Sequence, residues 1–289
     1  MTSSMSNPDS LPPSSGHSGG FLFFQIFKYT VYLLLSYNII LFFQDDYLAS
    51  AHTFKDGVSL GELVEAFSAT VDTAAWVLLL LLFELETFIL PDDKIKGFVK
   101  WSLHGVRALC YILIVYALYG YLVKLILMLN VSPYSVADVC TLVDSGFAYI
   151  ETLDEYIDID AANCALLNGQ ELFRINSVEL ISAESPLQNA QRLAWADVIN
   201  ATAWVLVVVV LEIDVLLQLK GGLKGMVRTL SKWFKVFLYT VLFAAAVYWG
   251  IDGQFLDFWD AFLWLVAFIF IELNIFQWTE ELQEEAAAK

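Results

Sequence analysis

The chain has 289 residues, of which 58% are hydrophobic and 15% aromatic, with a mean hydropathy of +0.64. This is too apolar for an ordinary soluble domain, and the apolar residues gather in long blocks, as they do in membrane proteins. The net charge of −17 excludes nucleic-acid binding as a working idea, since that needs a basic surface.

Residues 1–20 are rich in Ser, Pro and Gly, carry no Lys or Arg, and read as a disordered tail. No small-residue cleavage site follows the apolar run that begins at Phe21, so the run is expected to remain as a first span. Windows of roughly 20 apolar residues, enough to cross a bilayer, fall at 21–43, 66–90, 108–129, 195–219, 234–251 and 259–278. The expected class is therefore an all-α integral membrane protein with six transmembrane helices. Its segments are a cytoplasmic tail (1–20), a first hairpin (21–90), and a cytoplasmic connection with the third span (91–129). An acidic extracytoplasmic loop domain (130–192), the fourth span (193–219), a second connection with the last hairpin (220–279) and a charged cytoplasmic tail (280–289) follow.

Lys and Arg bias sets the expected direction. Nine of the 15 basic residues lie within 92–107 and 218–235, whereas 130–192 holds ten acids against two arginines. The connections at 44–57 and 251–260 are acidic as well. Basic and acidic connections alternate without conflict, which predicts cytoplasmic termini in a plasma membrane or bacterial inner membrane. Within the loop domain, "FAYIETLDEYI" at 147–157 mixes apolar and acidic residues with helical spacing and predicts a small cap. Besides the lipid bilayer, this acidic loop is the expected contact for other membrane proteins. Cys140 and Cys164 share the loop and are a candidate disulfide, while Cys110 sits in an apolar run. The three histidines are scattered and no CxxC occurs, so no metal site and no cofactor are expected. Neither HExxH, GxSxG nor a phosphate-binding loop is present, which argues against an enzyme.

The even-numbered spans share a pattern. "DTAAWVLLLLLFELE", "NATAWVLVVVVLEID" and "DAFLWLVAFIFIELN" all read [Asp/Asn]-x3-Trp-x7-Glu-[Leu/Ile]-[Glu/Asp/Asn]. The positions are Asp72, Trp76, Glu84 and Glu86; Asn200, Trp204, Glu212 and Asp214; Asp260, Trp264, Glu272 and Asn274. The odd-numbered spans carry a shorter counterpart, [Lys/Arg]-x3-Tyr, at Lys28 and Tyr32, Arg107 and Tyr111, Lys235 and Tyr239. Together these patterns predict three tandem hairpin repeats of parallel orientation.

Helix rise places each Glu about 18 Å beyond its outer Asp or Asn, past the midplane. A carboxylate there costs on the order of 3 kcal/mol unless it is paired, protonated or turned to a polar interior. Two readings follow. Glu84, Glu212 and Glu272, with Glu86, Asp214 and Asn274 beyond them, form a proton or cation pathway around one axis in a small channel or transporter. Alternatively, each Glu is a structural clamp in a non-catalytic subunit, scaffold or assembly factor, paired with the nearby Tyr and Lys/Arg. The lean of helical side chains toward their own N-terminus favours a Tyr–Glu hydrogen bond over a direct Lys–Glu pair.

Overall fold

The computed structural model describes residues 18–54, 57–59, 61–90, 94, 96–219 and 225–268. Glu272, Asn274 and the expected tail at 280–289 lie outside these residues, as do residues 1–17. Helices dominate. Among the described residues, four of them are long and apolar enough to cross a membrane: Leu22–Thr53, Gly97–Leu129, Glu184–Asp214 and Met226–Asp252.

Helix α1 (Ser18–Thr53) runs beyond the expected span at both ends. The supposed turn "QDDYLASAHTFKDG" stays helical through Thr53 because no Gly or Pro interrupts it before Gly57, whose φ is +89°. A short helix α2 (Leu63–Ala66) breaks at Phe67 and leads into α3 (Ser68–Glu84). Directly after Glu84 the chain widens into a π-helical turn, Leu85–Ile89. The 17 residues of α3 and the five of this turn form one helical run, about 33 Å long at helical rise. Helix α4 (Gly97–Leu129) follows and packs closely on α3.

Between α4 and the next long helix the chain forms a five-stranded sheet of order β1-β4-β5-β2-β3. Its strands are β1 (Val131–Tyr134), β2 (Ala148–Ile150), β3 (Tyr156–Asp158), β4 (Leu172–Ile175) and β5 (Leu180–Ala183), with the single-turn helix α5 (Cys164–Leu167) between β3 and β4. All neighbours pair antiparallel except β2 and β5, which are parallel. This corrects the all-α expectation for the loop domain, and the helical reading of "FAYIETLDEYI" with it. Ala148 and Ile150 are buried while Tyr149 between them is not fully so, a period of two that belongs to a strand. Glu151 N–H and Thr152 N–H then donate to Glu155 O and close the β2–β3 turn.

Helix α6 (Glu184–Leu219) begins well before the expected fourth span, with Pro186 in its first turn, where a missing N–H costs no helical bond. Helix α7 (Met226–Asp252) ends at Gly253, whose φ of +88° provides the left-handed cap. A helix over 255–268, α8, follows immediately. The α7–α8 turn is tight: the Phe258 ring lies 3.1 Å from where a Cβ on Gly250 would stand.

The sheet is fused to the bundle. One face of the sheet, through Ile150, Ile175 and Leu180, shares a core with Leu125 and Met128 of α4, Leu187 and Leu193 of α6 and Trp249 of α7. The other face packs Leu172 and Ile181 against Val139, Leu142, Cys164 and Leu167. Successive residues of β5, Leu180 and Ile181, therefore serve opposite cores. The Cys140–Cys164 disulfide ties the 3₁₀ turn Val139–Leu142 to α5 over that second face.

Candidate functional site

Below the sheet, at the end of the bundle it covers, lies a cavity of about 590 Å³. Eight carboxylates line it. Helix α1 supplies Asp45 and Asp46, α3 supplies Asp72, and the β2–β3 turn supplies Asp154 and Glu155. Asp197 comes from α6, and Asp257 and Asp260 from α8. Against them stand Lys124 of α4 and His52 at the end of α1.

Specific donors hold these acids. Asp46 is 5% exposed and accepts from Thr70 N–H at 2.9 Å and from Thr70 Oγ1 at 2.6 Å, so it caps the opening turn of α3 from outside that helix. The buried Asn38 donates through Nδ2 to Asp260 at 2.7 Å. Tyr121 donates to Asp72 at 3.5 Å. Lys124 Nζ reaches Asp154 Oδ1 at 2.5 Å and ties the β2–β3 turn to α4. Tyr156, beside that turn, donates to Leu153 O at 2.7 Å. Burial pushes its phenol above the ordinary value, and the neighbouring Asp154 charge pushes it further. His52 lies 3.6 Å from Asp158 and meets the Tyr156 ring edge-on, so the end of α1 also touches the sheet. Asn200 Oδ1 is buried in the cavity wall with no hydrogen-bond partner among the described residues.

The floor of the cavity is aromatic. Trp204 and Trp264 line it, and the indole of Trp76 lies 5.9 Å from the first and 6.2 Å from the second, ring centre to ring centre. The outer-end positions read from the sequence, Asp72, Asn200 and Asp260, all line this one cavity. Their partner tryptophans lie one helical turn on, and Trp76 meets each of the other two beneath it. All three tryptophans are buried.

The deeper residues separate. Glu84 is 3% exposed and pairs with Lys28 at 2.6 Å. Tyr29 donates to the same carboxylate oxygen at 2.9 Å, and Tyr32 to the other at 3.4 Å. The direct ion pair corrects the expectation that side-chain lean would disfavour it: α1 and α3 bring the two heads together while Lys28 itself is fully buried. Glu212 is exposed and accepts from Tyr111 at 2.8 Å. Its neighbours Ile213 and Val209 on α6 are exposed too. Arg107 pairs with Glu86 across the α3–α4 connection. Asp214 takes Lys235 at 2.8 Å and Ser231 at 2.6 Å across the α6–α7 connection. Tyr239 packs at the edge of the mid-bundle core.

Sequence reasoning missed most of the cavity's acids, along with Lys124 and Tyr29. A signal existed for three of them. Lys124 is the one basic residue of the apolar run 108–129, and Asp197 and Asp257 each precede a repeat position, Asn200 and Asp260, by three residues. Comparison with known protein families, characterised proteins and solved structures finds no match to this chain.

Proposed function

We propose that the protein is a small cation- or proton-permeating membrane protein whose mouth is the carboxylate-lined cavity beneath the sheet. In this reading six spans form three like-oriented hairpins. The sheet lies outside the cell, and both termini lie in the cytoplasm. The observation that carries it is the cavity itself: among the described residues, eight carboxylates from five elements converge around one lysine at the end of a transmembrane bundle. Negative groups walled by low-dielectric protein concentrate cations at such a mouth and speed their entry. The pathway residues then shift from the glutamates toward Asp72, Asp197, Asp257 and Asp260.

A second reading, a non-catalytic membrane subunit, is favoured by the deeper glutamates. Glu84 is neutralised by Lys28 and two tyrosines of its own hairpin, and Glu212 is held by Tyr111 of its own. That is how a structural clamp is built.

Flux decides between them. Purified full-length protein in liposomes should pass protons or monovalent cations. Asp72→Asn combined with Asp260→Asn should lower the rate at least about 10-fold, the lower end of what electrostatic focusing gives. No flux above empty liposomes would leave the subunit reading.

A further inference from the structure

A second cavity, of about 370 Å³, lies on the other side of the tryptophans. The order of residues along the helices proves the stacking. On α3 the first cavity touches Ala69, Asp72 and Thr73, before Trp76; the second touches Leu79, Leu80 and Phe83, after it. On α6 the first touches Asp197 and Asn200, before Trp204, and the second touches Val208, Leu211 and Glu212. On α8 the first ends at Trp264 and the second runs from Trp264 to Phe268. Three helices thus pass from one cavity to the other through one tryptophan each. The three indoles are 6–8% exposed, and Phe268 backs Trp204 at 4.6 Å between ring centres.

We propose that Trp76, Trp204 and Trp264 are the gate of the permeation path, closed here, between the acidic outer cavity and an inner chamber in which Glu212 and Tyr111 are the first polar groups. The inference rests on the permeation reading for its physiological meaning, but the barrier is a property of the packing alone. A layer of three large rings, with Trp76 packed against each of the other two, blocks water and ions, and their faces suit a cation that crosses when they part. The ligand class is a small monovalent cation: among the described residues the inner chamber offers one carboxylate, Glu212, with Arg107 also on its wall, which disfavours a doubly charged ion.

The test reads access rather than flux. In a Cys110→Ala background with the Cys140–Cys164 disulfide intact, single cysteines are placed at Ala69 (outer cavity) and Val208 (inner chamber). The full-length protein in liposomes is treated with a membrane-impermeant trimethylammonium methanethiosulfonate, from the side on which Ala69→Cys reacts. Ala69→Cys should react quickly whatever the tryptophans. Val208→Cys should react at least about 10-fold more slowly, and Trp204→Ala should bring it up to the Ala69→Cys rate, while Trp204→Phe keeps most of the delay. An unchanged Ala69→Cys rate shows that Trp204→Ala is folded; if it is not, Trp264→Leu and Trp76→Leu make the same measurement. Equal rates at Val208→Cys with and without the tryptophan changes overturn the gate. Flux separates the two ideas: a liposome flux that depends on Asp260 but ignores the tryptophans removes the gate and keeps the permeation reading. An access change without any flux removes the reading and keeps the barrier.

Discussion

The Lys28–Glu84 pair is a buried charge pair in a helical bundle, and its two halves are not equivalent when removed. Glu84→Leu leaves a fully buried ammonium without its counter-charge, a loss of about 3–5 kcal/mol for such pairs. Glu84→Gln keeps an acceptor for Lys28, Tyr29 and Tyr32 and costs less. Lys28→Met together with Glu84→Leu removes both charges, and the double variant should recover most of the stability, measured as thermal unfolding in detergent. A double variant as weak as Glu84→Leu alone would show that the carboxylate does more than neutralise Lys28. In liposomes Glu84→Gln should keep its flux, because a clamped glutamate is off the path. The positions of Lys28, Tyr32 and Glu84 were legible in the sequence because their spacing recurs in other spans. Tyr29 was not, because it breaks that spacing and reaches the carboxylate from the exposed side of α1. Lys124 and Asp154 were not legible as a pair either, since only the docked sheet brings that turn onto α4.

Between elements, α4 comes close to the α2–α3 junction at Gly120. A Cβ on the buried Gly120 would fall onto Ser68 Oγ and within 3.0 Å of Val64 O, next to the break at Phe67. Ser68 Oγ is itself committed to Val64 O at 2.8 Å and cannot swing away without losing that bond. Gly120→Ala should therefore destabilise the protein by about 1–3 kcal/mol, as overpacking does, and Ser68→Gly in the same chain should restore part of it. An unchanged melting temperature for Gly120→Ala alone would mean that α3 and α4 separate freely. In the sheet domain, the disulfide spans 24 residues, worth about 3 kcal/mol in the chain-entropy model. Reduction should lower the resistance of residues 131–183 to proteolysis while the bundle stays protected; equal protection in both redox states would set the bridge aside. The helices were readable because their apolar runs are long. The sheet was not: its strands hold three or four residues each, and the parallel β2–β5 pair joins segments thirty residues apart in a chain rich in acids. No local period announces such a pairing.

The whole molecule is electrically polar along the bundle. The sheet and the cavity beneath it gather the acids, while Lys94, Lys96, Lys100, Arg228 and Lys232 flank the ends of α3, α4, α6 and α7 away from the sheet. Basic residues cross a membrane reluctantly during insertion, whereas acids matter little to direction, so the sheet should be the translocated end. The geometry adds an independent constraint. The α1–α3 connection meets the sheet through His52 and Asp158, and Asn189 of α6 reaches Asp252 at the end of α7 at 3.2 Å, so those junctions share one side. The Glu86–Arg107 and Asp214–Lys235 pairs tie the two connections at the other side. Single cysteines at Asp158 and at Arg228, in the Cys110→Ala background, should therefore react with an impermeant thiol reagent from opposite faces of the membrane in intact cells, Asp158→Cys from outside. If both react from outside, α4, α6 and α7 do not each cross the bilayer, and the cavity loses its place at a membrane surface. If the two faces are exchanged, the bundle stands but the acidic cavity opens to the cytoplasm, and the direction of cation entry reverses with it.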